Sequence, residues 1–215
     1  MFPPTEWGWS AYEKPRPDNC SVWLTGLRGN VFARDILAGI RGLGKVFYIE
    51  VKPAIAPSRD SSATLVFFDT AVSQSLIAKG SLIINNDNDI INNGEQQILR
   101  VRRSSRQVPQ RRTARPEDHS RVLLISGPRN IVNVSFLSSY FFSRFPYEVD
   151  EIIPLVEGEV YASYEWRFVC YYGQAESAMW HLIADRSVFA DQGVTVRFDR
   201  DPCDEWPFGP GIWKV

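Results

Sequence analysis

The chain has 215 residues, of which 44% are hydrophobic, and a formal net charge of −1. That hydrophobic content argues against disorder, and the length suits two domains of about 85 to 100 residues each. No apolar run approaches the roughly 20 residues of a membrane span, and the N-terminus lacks the charged-then-apolar pattern of a secretory signal. The three cysteines are too scattered for a disulfide framework or a zinc site. We therefore expect an intracellular protein, nuclear or cytoplasmic, with no metal and no other cofactor.

The first half of the chain predicts the order strand, helix, strand, strand, helix, strand. In the first strand, Val22 and Leu24 alternate with other side chains, as a half-buried strand requires, so Trp23 should face away from the helices. Gly42 and Gly44 should end the first helix and turn the chain into the second strand. The apolar stripe of that helix consists of Phe32, Ile36, Leu37 and Ile40.

The next two strands complete the predicted open face of this sheet. On the second strand, Val46 should point inward and be followed, after a local offset, by Ile49 and Val51, which leaves Tyr48 and Lys52 outward. On the third strand the alternation places Val66 and Phe68 in the core. The side chains then expected on its open face are Ala63, Leu65 and Phe67.

Positive charge is concentrated at the end of this half. Seven arginines and no acid occur between Arg100 and Arg115. In the last strand Leu99 and Val101 should point inward, which turns Arg100 and Arg102 outward. Guanidinium groups pair with phosphate and stack on bases, which favours RNA. A solvated basic linker and a localisation signal are the alternatives.

The second half repeats the same order of elements. In its first helix Asn133 is the expected cap, and the apolar stripe consists of Leu137, Tyr140, Phe141 and Phe145; a later helix carries Ala175, Ala178, Met179, Leu182 and Ile183. The third strand, EWRFVCYY, fits two registers, and burying an unpaired arginine costs several kcal/mol. We therefore expect Trp166, Phe168 and Cys170 inward. The outward surface would consist of Leu124, Arg167, Val169, Tyr171 and Arg197.

Two segments of the first half resemble the RNA recognition motif (RRM) family. SVWLTGL is similar to the family's first-strand motif, with Trp23 in the aromatic place, and SSATLVFF is similar to its third-strand octamer. The octamer departs from the family because Ser61, Ala63 and Leu65 stand where a basic residue and two outward aromatics are usual. In the second half LLISGP keeps the framework, but Leu124 replaces the aromatic.

The resemblance implies a tandem of RRM-like domains with degenerate RNA-binding motifs. Each would be an α+β, ferredoxin-like βαββαβ sandwich with a four-stranded antiparallel sheet packed on two helices. The expected divisions are an aromatic and proline-rich arm (1–17), domain 1 (18–104), an arginine-rich linker (105–118), a degenerate domain 2 (119–202) and an acidic, aromatic tail (203–215). The SLIIN segment and the asparagines after it should form a long surface hairpin before the last strand of domain 1.

Charge separates the two halves. Residues 1–116 hold 16 basic and 10 acidic residues, whereas residues 117–215 hold 8 and 15. A polyanion should therefore contact the first half preferentially. The expected RNA-binding residues are Trp23, Tyr48, Leu65, Phe67, Arg100, Arg102, Arg103, Arg106, Arg111 and Arg112.

The sequence therefore favours a non-enzymatic protein that binds single-stranded RNA through domain 1 and the basic segment. His119 and His181 have no recognisable nucleophile near them in the sequence, and no phosphate loop or dinucleotide fingerprint occurs. The rival interpretation is a pseudo-RRM protein-protein interaction module with little or no RNA binding. In that case domain 2 or the aromatic termini would contact a protein partner.

Overall fold

A computed structural model describes residues 16–28, 31–55, 60–85, 96–110 and 119–204. Within these ranges the chain forms two antiparallel sheets, each packed against two α-helices, which is an α+β architecture. We call the first sheet with its helices domain 1 and the second domain 2. The elements of domain 1 are β1 (Ser21–Leu27), α1 (Ala33–Gly39), β2 (Val46–Lys52), β3 (Ser61–Phe67), α2 (Thr70–Lys79), β4 (Ser81–Asn85) and β5 (Gln96–Arg103). Those of domain 2 are β6 (Val122–Pro128), α3 (Val134–Phe142), β7 (Val149–Glu157), β8 (Tyr161–Phe168), α4 (Glu176–Ala184) and β9 (Thr195–Asp199).

The first sheet has five strands instead of the four predicted. Its order is β2-β3-β1-β5-β4, and the second sheet has the corresponding order β7-β8-β6-β9 without the extra strand. The additional strand is β4, which pairs with β5 and buries Leu82 and Ile84. A Cβ atom at Gly39 would lie 2.7 Å from the side chain of Ile84, so only glycine lets α1 approach β4 this closely. The two described ends of the predicted surface hairpin are therefore β4 and the start of β5, which pair with each other at the edge of the sheet.

The core of domain 1 confirms most of the predicted alternation. Val22, Leu24, Leu99 and Val101 are buried together with Ile36 and Leu37 of α1 and with Ile40 directly after it. On β2, an irregularity between Val46 and Tyr48 supplies the expected offset. Phe32 is an exception and is 50% exposed. The reason is that α1 begins after it, and the Phe32 N–H donates to the Asp35 carboxylate at 2.8 Å.

The orientation predicted for β3 is wrong. Leu65 lies directly opposite the inward-facing Val22, and residues directly opposite in an antiparallel pair share a face. Ala63, Leu65 and Phe67 are consequently buried against the helices in the main core. Val66 belongs to the other face, so neither Leu65 nor Phe67 is available to a ligand on the open face.

The core of domain 2 confirms the register chosen for its third strand. Trp166 and Phe168 are fully buried with Leu137 and Phe141. Asn133 caps α3, because its side-chain oxygen accepts the Phe136 N–H at 2.8 Å. Ile183 was expected on the buried side of α4 but is 52% exposed. It follows the buried Leu182 by one residue, which turns it about 100° around the helix axis.

The two domains share buried residues at their junction. Val169, Cys170 and Cys203 pack into the main core of domain 1. Directly after Cys170 the chain makes a five-residue π-turn, Tyr171–Ala175, in which Gly173 has a φ of 74°. This turn presents two tyrosines to domain 1, and the tail after β9 packs against the loop between α1 and β2.

Candidate nucleic-acid interface

The open face of the first sheet is centred on Trp23. This residue lies opposite Arg102 of β5 and opposite Thr64 of β3. Thr25, two residues further along β1, lies opposite Arg100. Because cross-strand partners share a face, the indole and both guanidinium groups project from the same side of the sheet, away from the helices. The sequence predicted this arrangement of Trp23, Arg100 and Arg102.

The indole of Trp23 is only half-buried and lies next to a positive charge. The Lys52 ammonium is 5.8 Å from the centroid of its ring, within range of a cation–π contact. Glu50, also on this face, is paired with Lys52 at 3.7 Å and with Arg106 at 3.5 Å. These two cations offset a carboxylate that would otherwise repel a phosphate from this side of the face.

Trp23 also lines a cleft of about 990 Å³. Three of its lining residues are basic, Arg28, Lys52 and Arg100, and one is acidic, Asp60. The remaining walls come from β1, from the start of β3, from the segment after β2 and from β5. The cleft thus combines an aromatic floor with a net positive lining, a combination that suits a flat base attached to a phosphate.

The predicted arginines differ in their surroundings. Arg100 and Arg102 share the face of Trp23, whereas Arg103 lies opposite the inward-facing Val22 and therefore points to the other side of the sheet. Arg100, Arg102 and Arg103 are exposed on β5, and no ion pair joins them to another residue in the part of the chain that the structure describes. Arg106 is half-buried and pairs with Glu50. Arg111 and Arg112 lie outside the described residues, as do the aromatic residues expected to matter near both ends of the chain.

One end of the open face is covered from within the molecule. Phe47, Val66 and Val108 form a small buried cluster with Cys20 and with Tyr171 of domain 2. The segment carrying Val108 is held to domain 1 because the Cys20 N–H donates to the Val108 carbonyl at 2.7 Å. The part of the face near the start of β1 is therefore closed to solvent, whereas the part around Trp23 stays open.

Tyr48 is outward, as predicted, but it is half-buried against domain 2. Its ring centroid lies 6.5 Å from that of Tyr172 in an edge-to-face arrangement. Burial, followed by the neighbouring Glu50 carboxylate, raises the pKa of Tyr48 to about 12. The contact leaves Trp23 as the main aromatic surface of the open face.

The second-domain surface predicted from the sequence is only partly present. The prediction for Tyr171 is wrong: the π-turn places it in the interdomain cluster, where its ring lies 5.8 Å from Phe47 and 5.2 Å from Phe68. Val169 is likewise buried. Leu124 is half-buried, and Arg167 is paired with Glu151 and Glu165. Arg197 is well exposed, with Asp199 at 4.0 Å.

The sequence did not reveal a buried ionic network at the junction. Arg121 is completely buried; its Nε donates to Asp201 at 2.9 Å, and its Nη1 donates to Asp150 at 2.9 Å and to the Phe168 carbonyl at 2.8 Å. Asp201 also accepts the N–H of Val46 in domain 1 at 2.9 Å. Burial alone would lower the pKa of Arg121, but the negative charges around it, with Asp201 first, raise the pKa overall. The guanidinium thus joins β7 and β8 to the tail, and its partner Asp201 connects this network to domain 1.

The described residues offer no sign of a metal centre or of a membrane span. No three His, Cys, Asp or Glu side chains among them lie close enough together to hold a metal ion. Among the same residues, no helix has both the length and the apolar character needed to cross a bilayer.

Comparison with known proteins finds remote structural matches. No protein-family model matches the chain, and no curated protein matches it. Among solved structures, RNA recognition domains 1 and 2 of Sex-lethal from Drosophila melanogaster have 16% identity and a TM-score of 0.28; the match covers 84% of this chain and 100% of that one. The Sex-lethal protein/RNA complex has 15% identity and a TM-score of 0.29, with coverage of 84% and 99%. The first two RRM domains of the yeast poly(U)-binding protein Pub1 have 13% identity and a TM-score of 0.28, with coverage of 83% and 99%.

Proposed function

We propose that the chain is a tandem RRM-like protein that binds single-stranded RNA through the open face of domain 1 and the arginine-rich segment after β5. The observation that carries the proposal is the half-buried Trp23, which lines a basic cleft and has Arg102 directly across from it on β5. A base stacked on an aromatic side chain contributes about 1–3 kcal/mol. Guanidinium groups beside the ring can bind the attached phosphates by charge-assisted hydrogen bonds.

The structure supports different roles for the individual residues. Trp23 stacks a base, while Arg100 and Arg102 hold phosphates on the open face, where they have no competing ion pair among the described residues. Arg103 lies opposite the inward-facing Val22, so it points to the other side of the sheet and is left out of the proposed site. Arg106, Arg111 and Arg112 extend the basic track. Tyr48 contributes less than its sequence position implied, because Tyr172 covers part of its ring. Leu65 and Phe67 have no contact with RNA in this proposal, since both are buried.

Replacing Trp23 with alanine tests the stacking role. We expect the free energy of binding single-stranded RNA to become less favourable by about 1–3 kcal/mol, which raises the dissociation constant roughly 5- to 150-fold. Trp180→Ala is a matched control, because Trp180 is 67% exposed on α4 of domain 2, away from the cleft. Fluorescence anisotropy at fixed salt, with circular dichroism to verify folding, gives the comparison. Equal affinities for the folded Trp23→Ala variant and the wild type would refute the stacking role.

The basic segment is tested through the salt dependence of binding. For a single strand, the slope of log affinity against log salt should become shallower by about 0.7 for every phosphate that is no longer neutralised. We expect the triple variant Arg106→Ala, Arg111→Ala, Arg112→Ala to have a clearly shallower slope. A control that removes the same charge from domain 2 carries Arg186→Ala, Arg197→Ala and Arg200→Ala. Equal slopes for the triple variant and the wild type would show that the segment does not contact phosphate.

A protein-interaction module is the second candidate, and exposed apolar residues of domain 2 favour it. Phe142 at the end of α3 is 83% exposed, and Trp180 on α4 is also largely exposed. Exposed apolar side chains mark contact sites where they form a contiguous patch, so this candidate requires Phe142 and Trp180 to belong to one binding surface. Crosslinking in cells distinguishes the two candidates: nucleotides attached to the peptide that contains Trp23 support RNA binding. Absence of such adducts, together with no RNA affinity of the purified chain, supports the second candidate.

A further inference from the structure

The additional strand of the first sheet, β4, extends the open face beyond the Trp23 cleft. Ile83 of β4 lies directly opposite Ile98 of β5, and the two side chains are 49% and 69% exposed. Ile98 precedes Arg100 by two residues on β5, so both point to the same side of the sheet. Arg100 lies opposite Thr25 on β1 and therefore shares the face of Trp23. An exposed aliphatic pair thus continues the surface that begins at the indole.

This aliphatic pair is continuous with the cleft. Ile98, Gln96 and Gln97 line the same cleft as Trp23 and Arg100. The Gln97 side chain fixes the end of β1, because its Oε1 accepts the Arg28 N–H and its Nε2 donates to the Arg28 carbonyl, both at 3.0 Å. A ligand stacked on Trp23 can therefore continue towards β4 over a wall that is already ordered.

The opposite direction is closed. Val66 and Phe47 are covered by Tyr171 and by Val108, so an RNA chain that leaves Trp23 in that direction meets buried side chains. Glu50 lies on that same half of the face, at its β2 edge. The side of the open face towards β5 carries Arg100 and Arg102 instead. Both shape and charge direct a nucleic acid strand away from domain 2.

We propose that the single-stranded RNA runs from Trp23 past Arg100 onto the pair formed by Ile83 and Ile98, which contacts a second nucleotide. This inference rests on the RNA binding proposed above. Trp23 lies opposite Arg102 of β5. Ile98 is four residues from Arg102 on the same strand, which separates the two positions by about 13 Å. That distance exceeds the roughly 3.4 Å between stacked bases, so the pair meets a different nucleotide from the one on Trp23.

The neighbouring cross-strand pair supplies hydrogen-bonding groups for the same nucleotide. Asn85 lies opposite Gln96, and both side chains are exposed beside the two isoleucines. Their amides can donate to and accept from the edge of a base, which apolar side chains cannot do. Strand β4, together with the facing part of β5, would thus add both an apolar contact and a polar contact to the site.

The double variant Ile83→Thr, Ile98→Thr tests the inference in the full chain. Threonine retains the β-branched side chain that suits a strand but removes apolar contact from two exposed positions. Ile183→Thr is the matched control, since Ile183 is 52% exposed on α4. The probe is a labelled single-stranded RNA of randomised sequence, about 10 nucleotides long. We expect the double variant to bind roughly fivefold more weakly, and the control to bind like the wild type.

The possible results separate the two proposals. If the wild type has no affinity for the RNA, the proposed function itself fails. If the wild type binds RNA and Trp23→Ala weakens binding, but the double variant has the same affinity as the wild type, the proposed function stands and the role of β4 is refuted. A double variant with unchanged RNA affinity but altered sedimentation would assign the isoleucine pair to contact between copies of the chain, and it would also refute the inference.

Discussion

Replacing Arg121 with methionine should be among the most damaging single changes in the domain junction. The guanidinium makes hydrogen bonds to Asp201, to Asp150, to the Phe168 carbonyl and to the Cys203 sulfur, at 2.8 to 3.5 Å. Methionine can fill the apolar part of the space but leaves two carboxylates without their principal cation. Breaking a buried ion pair by removing one partner costs about 3–5 kcal/mol.

The remaining contacts place the expected loss at the lower end of that range. Asp201 keeps the N–H groups of Val46 and Cys203, each at 2.9 Å. Asp150 keeps the Arg41 guanidinium at 3.5 Å. We therefore expect the free energy of unfolding to fall by about 3 kcal/mol, a large share of the roughly 5–15 kcal/mol of an ordinary domain.

Urea unfolding of the full chain, followed by circular dichroism, measures this loss. Arg197→Met is the control, because Arg197 is exposed and Asp199 lies 4.0 Å from it. An exposed pair of this kind contributes at most about 1 kcal/mol. A loss for Arg121→Met no larger than that of the control would refute the view that the buried network holds the domains together.

Three further changes have defined outcomes. Phe67→Ala should lower the free energy of unfolding by about 3–5 kcal/mol in a urea titration, because the ring is buried; a loss below about 1 kcal/mol would place it outside the core. Gly44→Ala should destabilise the chain by about 1–3 kcal/mol in the same assay, since the new Cβ would lie 2.5 Å from Val72. Gly42→Ala meets no atom within 4 Å and should cost only the roughly 1 kcal/mol of a non-glycine residue at its φ of 76°. Stability should also fall as the pH rises above 9.0, the ordinary pKa of a thiol. Burial raises the pKa of three thiols in the folded state, so the unfolded chain loses those protons first. A urea midpoint that does not change between pH 8 and 11 would contradict this. The thiols are Cys20 and Cys170, with a pKa of about 11, and Cys203, with a pKa of about 12.

The strands with one polar face were predictable from the sequence alone. Val22 and Leu24 alternate with Trp23, and Leu99 alternates with Arg100, so only one register keeps the polar or amphipathic groups out of the core. β3 lacks this information because its run of apolar residues is nearly continuous, and both registers bury a hydrophobic side chain. Pairing with β1 settles the choice in the folded chain.

The junction between the domains could not be read from local patterns. Tyr171 comes three residues after the end of β8 and resembles any other surface aromatic, but the π-turn around Gly173 carries it into the interdomain cluster. Arg121 stands directly before β6, where an arginine would normally point to solvent. Its burial depends on Asp201, a partner 80 residues away, and no local signal identifies such a partner.

The shared core at the junction has a consequence for how this chain can be divided. Val169, Cys170 and Cys203 complete the hydrophobic core of the first sheet, although they come from the second half of the sequence. A truncated chain that stops within the arginine-rich segment would uncover Phe47 and Val66 and leave an unfilled gap beside α1. We expect such a fragment to self-associate, since newly exposed apolar surface drives aggregation. The two sandwiches thus share buried apolar residues at their junction, and cutting the chain between them would expose that surface.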